Sequence, residues 1–365
     1  MRRGKAALAA VIVIGCSLPA PAHAADPAYG PPSALCTVTD PRLAEVSGLA
    51  VDGDRLLMVN DGGEELEVYV LDRGPDRSCR VTSVITSPVD PYDVEDLARA
   101  PDGTLWLADT GDNARNRDTV ALHALREDGQ SVLFRFTYPD GPHDAEALLL
   151  DGSGRPFVLT KEPLGRAGIY TPSAAPSPFA STPLSRVGDL EFTPTGTPGG
   201  PLGEIGQVLV TGAALSPDGA LAVVRTYTDA YVYAVSDGDV LAALAGEPVR
   251  VALPAAPQGE AIAFGANGRD LLVTSEGSPF EVTLLPVVAS ATPTTGAPDS
   301  ELPASGPPAS TASASASGSS AGGSSADGSS GGGAEDGNST GVDLAIAGVL
   351  AAVLVTVYGV LRRRR

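Results

Sequence analysis

The chain has 365 residues, and 44 acidic against 24 basic side chains give it a formal net charge of −20. That balance excludes nucleic acid and anionic lipid as default partners and suits metal cations or basic partners, or else solubility alone. Once the first 24 residues are set aside as a leader, only Cys36, Cys79, His123 and His143 remain of the thiols and imidazoles, without the spacing of a zinc site.

Residues 1–24 carry Arg2, Arg3 and Lys5, then the apolar run AALAAVIVIG, then Ala22-His23-Ala24. This is the pattern of a secretory signal peptide with an A-x-A cleavage site. Cys16 follows Val-Ile-Gly and loosely resembles a lipid-attachment site; a second anchor further along makes a lipid unnecessary. Export and an even count then favour a disulfide between Cys36 and Cys79, with free thiols as the alternative.

Between Ser47 and Thr274 one unit recurs five times: a short apolar strand, an Asp/Gly turn and a second apolar strand. The first strands are SGLAV from Ser47, EDLAR from Glu95, EALLL from Glu146, AALSP from Ala213 and EAIAF from Glu260. The second strands LLMVND, LWLADT, FVLTKE, AVVRTY and LLVTSE place Asp61, Asp109, Thr160, Tyr227 and Thr274 at the same offset from each anchor. Further β-rich runs such as VYVLD, VLFRFTY and YVYAV complete the units, and no strong helical pattern interrupts them. A period of 47 to 51 residues, stretched once to 67 between Glu146 and Ala213, predicts a radial array of four-stranded sheets, an all-β propeller over residues 35–288. The surplus in the long interval is rich in Pro and Gly, so five blades are favoured over six. An N-terminal strand at LCTVTD is expected to close the last blade, with Cys79 on the outer strand of the neighbouring first blade.

Residues 289–341 are Ser, Gly, Ala, Pro and Thr with scattered acids, a composition that cannot bury enough apolar surface to fold and reads as a linker. LPASG at Leu302 resembles a sortase signal but stands far from the hydrophobic tail such signals precede. Residues 342–361, with an uninterrupted apolar or small-residue run from Leu344 to Leu361, are long enough to span a bilayer as a helix, and Arg362 to Arg365 follow. The positive-inside rule keeps those arginines in the cytoplasm. The expectation is a monomeric, single-pass plasma-membrane protein whose N-terminal domain is extracellular.

In such a propeller the starts of the first strands and the ends of the second share one edge and converge around the mouth of the central channel. The residues so placed are Glu45, Asp93, Glu95, Asp144, Glu146, Thr211, Gln258 and Glu260 at the starts. At the ends they are Asn60, Asp61, Asp109 to Asn113, Thr160, Lys161, Arg225, Ser275 and Glu276. Converging carboxylates are costly unless solvated, protonated, paired or bridged by a cation, and an all-oxygen donor set points to calcium. Candidate ligands are Asp93, Glu95, Asp109, Asp112, Asp144, Glu146 and Glu260. The loop from Asp109 to Asp118 reads either as part of that site or as a polar turn capping its own backbone. Lys161 and Arg225, with Asn60 and Asp61 beside them, either neutralise the acids or contact a bound ligand. No G-x-S-x-G elbow and no glycine-rich phosphate cradle occurs in residues 35–288.

The run DAEALLLDGSGRPFVLTKEPLGRAGIY from Asp144, with DVEDLA from Asp93 and QGEAIAF from Gln258, resembles blades of β-propeller phytases over residues 43–286. The resemblance implies that Asp93, Glu95, Asp144, Glu146 and Glu260 hold calcium, with Lys161 and Arg225 meeting phosphate, in a metal-assisted hydrolysis. The fourth repeat departs from that pattern by offering Thr211 and Ala213 in place of acids. Two functions follow as expectations: recognition of an extracellular ligand or protein through a calcium-binding mouth, or calcium-dependent phosphoester or other hydrolysis.

Overall fold

The computed structural model describes residues 27–288. The expected signal peptide, linker, membrane span and basic tail lie outside the described residues. Among the described residues, no helix is long and apolar enough to cross a membrane.

Two strands, β1 (Ala28–Tyr29) and β2 (Ser33–Val38), precede the repeats. The first repeat then forms β3 (Val46–Asp52), β4 (Arg55–Asn60), β5 (Leu66–Arg73) and β6 (Ser78–Ser87). The second forms β7 (Val94–Arg99), β8 (Leu105–Asp109), β9 (Val120–Leu125) and β10 (Ser131–Thr137). The third forms β11 (Ala145–Leu150), β12 (Pro156–Thr160), β13 (Arg166–Pro172) and β14 (Thr182–Glu191). The fourth forms β15 (Val210–Leu215), β16 (Leu221–Thr226), β17 (Asp229–Ala234) and β18 (Val249–Ala252). The last contributes β19 (Gly259–Phe264), β20 (Leu271–Ser275) and β21 (Phe280–Leu285), and β22 (Val287–Val288) ends the described chain.

Each repeat pairs its strands antiparallel in chain order, and β2 pairs with β21 to supply the fourth strand of the last set. The first strands lie side by side in a closed cycle, β3 with β7, β11, β15, β19 and β3 again. The architecture is therefore all-β and propeller-like. Burial explains the sequence pattern of each strand. β11 (AEALLL) and β19 (GEAIAF) are buried at every position, because inner strands are covered on both faces by the neighbouring sets. The outer β18 alternates half-buried and exposed residues, since one of its faces meets water. The hairpin turns bend through glycines at positive φ, Gly53 at 61° and Gly103 at 89°, where a side chain would be strained.

The closing strand forms as the sequence predicts. β2 runs parallel to β6, and Cys36 and Cys79 are joined in a disulfide across that seam. β1 pairs with β22 ahead of residue 35, so sheet structure begins earlier than the repeat pattern alone suggests. One further feature differs from the sequence reading, and one agrees with it. A five-residue helix (Val240–Leu244) stands between β17 and β18, its first turn capped by Asp239 accepting from Ala242 N at 2.9 Å. It is too short to leave a helical period. The surplus between the third and fourth repeats forms no strand in residues 192–209 and becomes a strap. Buried Asp229 holds it, accepting from Thr195 Oγ1 at 2.7 Å and Thr197 Oγ1 at 2.8 Å, while Gln207 Oε1 accepts from Thr195 N and Gly196 N at 2.8 Å each.

Strand direction gives the two faces distinct roles. First strands start at the mouth, and third strands, including β21, run away from it. β1 and β22 therefore lie together on the opposite face, where the described residues begin and end.

Candidate cation-binding mouth

Every first strand carries an irregularity near its start. The ladder skips a residue between Val46 and Gly48, Val94 and Asp96, Ala145 and Ala147, and Val210 and Gly212. In the last repeat it skips from Gly259 to Ile262. A β-bulge leaves its extra residue unpaired and re-aims its side chain. The residues so released are Ser47, Glu95, Glu146, Thr211 and, in the last repeat, Glu260 with Ala261; all are buried. The sequence register needs correction here. The fourth-repeat counterpart of Glu146 is Thr211, not Ala213, because the hairpin between the paired strand ends differs in length, from Val46 with Asn60 in the first repeat through Ala145 with Thr160 in the third to Val210 with Thr226 in the fourth.

The bulges bring the predicted acids together. Carboxylate oxygens of Asp61, Asp93 and Glu95 lie within 4.8 Å of one another, as do those of Glu95, Asp144 and Glu146. Glu95 belongs to both triads and accepts from Ser47 Oγ at 3.3 Å. Gly111, at the end of the second repeat's paired strands, has no room for a side chain: a Cβ there would collide with the Glu95 and Asp93 carboxylates. Lys161 Nζ bonds Glu146 and stands 5.0 Å from the ring centroid of Tyr227.

Electrostatics follow from burial and crowding. Burial, with Asp61 as the nearest like charge, pushes the Asp93 carboxyl up to about 9. Burial raises Glu276 to about 8, with Glu260 and Asp61 adding to the shift. Burial, then Glu146, holds Glu95 well above the usual carboxylate range. Burial also raises Glu146, Asp144 and Glu260, although the Lys161 ammonium pulls each of the three back. Without a bound cation the mouth thus holds protons at neutral pH.

The other predicted site residues are close by but otherwise engaged. Asp109 accepts from His123 Nε2 at 3.1 Å, Arg117 Nη2 at 2.8 Å, Tyr92 N at 3.1 Å and Asp93 N at 3.0 Å. It orients the segment that carries Asp93. Asp112 accepts from Asn116 N at 3.0 Å and Arg117 N at 2.8 Å, and its own amide donates to Asp144 Oδ1 at 2.8 Å. The Asp109–Asp118 loop is thus a capped turn that braces two mouth carboxylates. Asn60 Oδ1 accepts from Glu45 N at 3.0 Å. Arg225 is 1% exposed, and its Nη1 donates to Ala261 O at 2.5 Å and Thr274 O at 2.9 Å.

Two residues escaped sequence reasoning. Tyr227 occupies the mouth position in the fourth repeat that Lys161 and Glu276 take in theirs. Asp96 is fully buried and accepts from Leu97 N at 2.8 Å, Leu148 N at 2.8 Å and Ala213 N at 3.2 Å. It ties β7 to β11 and β15, which makes a floor beneath the acidic ring. The signal was present in the sequence: after the bulge residue the sister repeats carry Gly48, Ala147, Gly212 and Ala261, and only this repeat carries an acid.

No protein-family description matches the chain, and no curated protein matches it. Among solved structures, a streptogramin B lyase is 10% identical with a TM-score of 0.33, covering 67% of this chain and 66% of the lyase. A gluconolactonase from Xanthomonas campestris is 16% identical with a TM-score of 0.38, covering 67% of this chain and 73% of that chain.

Proposed function

We propose that this chain is an exported, five-bladed propeller whose acidic mouth binds a divalent cation, calcium by preference, and through it an extracellular ligand or protein. One observation carries the reading: Glu95 is shared by two carboxylate triads, one fully buried and one completed by half-buried Asp61 and Asp93, an arrangement that a cation relieves and to which, among the described residues, Lys161 is the one basic side chain directly bonded. The donors are all oxygens in a ring of separate strands, which suits the flexible, many-oxygen shell of calcium. Neither histidine belongs to either triad: His143 is bonded through both ring nitrogens, to Glu162 and Asp140, and His123 through Nε2 to Asp109.

Attachment to a plasma membrane through the C-terminal apolar run would present the domain as a recognition head. The hydrolase reading, in the manner of β-propeller phytases, ranks second. It needs bases free for a phosphate, whereas Lys161 is bonded to Glu146 and Arg225 to main-chain carbonyls.

Calorimetric titration of the full chain with calcium, repeated with magnesium and after chelation, tests the reading. Calcium should bind with heat and raise the melting temperature; no heat and no thermal shift would remove the cation from the proposal. A parallel screen with phosphomonoester and lactone substrates, with and without chelator, decides between binder and hydrolase.

A further inference from the structure

The two triads that share Glu95 are not equivalent. One of them already contains a cation: Lys161 Nζ is bonded to Glu146, with Asp144 and Glu260 close enough to act on it through space. That lysine is held in place from several sides. Its main-chain amide donates to Asp144 O at 2.9 Å, and its ammonium lies over the Tyr227 ring. The strap is packed behind that tyrosine, since a Cβ on Gly200 would stand 2.8 Å from Tyr227 Cβ. The side chain of Lys161 is only 14% exposed, and withdrawing it would leave the buried Glu146 carboxylate uncompensated.

The other triad, Asp61, Asp93 and Glu95, has no ammonium or guanidinium among the described residues bonded to any of its carboxylates. Arg117, which acts on Asp93 through space, is bound instead to Asp109 Oδ1 at 2.8 Å and to Gly111 O at 2.7 Å. One half of the mouth therefore carries its own bonded cation and the other does not.

We propose that Lys161 is a built-in counter-ion that limits the mouth to a single divalent cation, taken by Asp61, Asp93 and Glu95, with the ammonium standing where a second ion would sit. The proposal rests on the cation-binding reading above. Its physical basis is that a tethered charge needs no recruitment from solution, so it outcompetes a dilute ion for the same carboxylates. A second divalent ion would also sit close to the ammonium, and that repulsion is strong in a partly buried site.

Counting bound calcium on the full chain by equilibrium dialysis tests this, with Lys161→Met as the main variant and Lys161→Gln beside it in case the apolar replacement does not fold. The wild type should bind one ion and either variant two. Adding Asp61→Asn should abolish the single ion of the wild type yet leave one in the Lys161 variant background. One ion in both wild type and variant, or two in the wild type, would overturn the role of Lys161 while leaving cation binding intact. No calcium on either form would overturn the cation reading itself, and this inference with it.

Discussion

Aspartates on the two faces of the propeller behave in opposite ways. On the face away from the mouth, Asp76 accepts from Ser78 Oγ at 2.6 Å and Ser78 N at 3.2 Å, and these bonds lower its carboxyl to about 2. Asp102, in the turn between β7 and β8 on the same face, accepts from Thr104 N at 3.0 Å and is lowered as well. At the mouth, Asp93 is raised to about 9 by burial and by its acidic neighbours. The residue type is the same; the difference lies in what surrounds the charge. A turn aspartate is solvated and meets amide donors of its own loop, whereas a mouth carboxylate meets other carboxylates that distant repeats bring beside it. Charge that stabilises locally at one end of the strands is accumulated at cost at the other, and such a cost is what a ligand can relieve.

The largest test of that contrast is Glu95→Gln, which removes the carboxylate shared by both triads. Calcium affinity should fall on the order of 100-fold, read by calorimetry. The melting temperature of the cation-free protein at pH 6 should hardly change, because a glutamine resembles the protonated acid that burial enforces there. A large apo destabilisation with unchanged affinity would instead place Glu95 among purely structural residues.

Next is pH. The folded-state values of Asp93 and Glu276, about 9 and about 8, lie above their ordinary values of 3.8 and 4.5. The protonated forms are favoured in the folded protein, so stability is highest at acidic pH and declines as pH rises through about 8 and about 9. A thermal melt of the cation-free protein should drop by roughly 5 °C between pH 6 and pH 9, and saturating calcium should flatten that slope. The turn aspartates act in the other direction. The contribution of Asp76 is present above its ordinary 3.8 and is lost as pH falls through about 2.

A smaller effect is expected for Gly111→Ala. Its Cβ would intrude on Glu95 and Asp93, so calcium affinity should fall about tenfold, with a stability loss of roughly 1–2 kcal/mol from the strained contact. The smallest belongs to the opposite face. Asp151 Oδ1 accepts from Ser153 N at 2.8 Å and Arg155 N at 3.0 Å, and Asp151→Ala should cost about 1 kcal/mol in chemical denaturation with calcium affinity unchanged. Altered calcium binding in this variant would break the separation of the two faces.

Much of this molecule was legible before folding was considered. Repeats of strand, Asp-Gly turn and strand specify a ring, because an apolar run flanked by glycine turns can form only a short strand, and five similar units bury their faces against one another. The closing strand and its disulfide followed from Cys36 lying ahead of the first repeat and Cys79 within it. Most mouth acids were likewise visible, as residues at strand starts.

What the sequence could not determine was the use each acid is put to. Asp93 and Asp109 look alike in the chain, yet one faces like charges and the other is met by a histidine, an arginine and two amides. The true counterpart of Glu146 in the fourth repeat, the tie that Asp96 makes to strands 52 and 117 residues further along, and the seating of Lys161 over Tyr227 all depend on partners remote in sequence. Strand periodicity is a local property and survives in the one-dimensional record. A carboxylate's proton, its donors and the cation it can hold are set by distances across the channel, which exist only after the ring has closed.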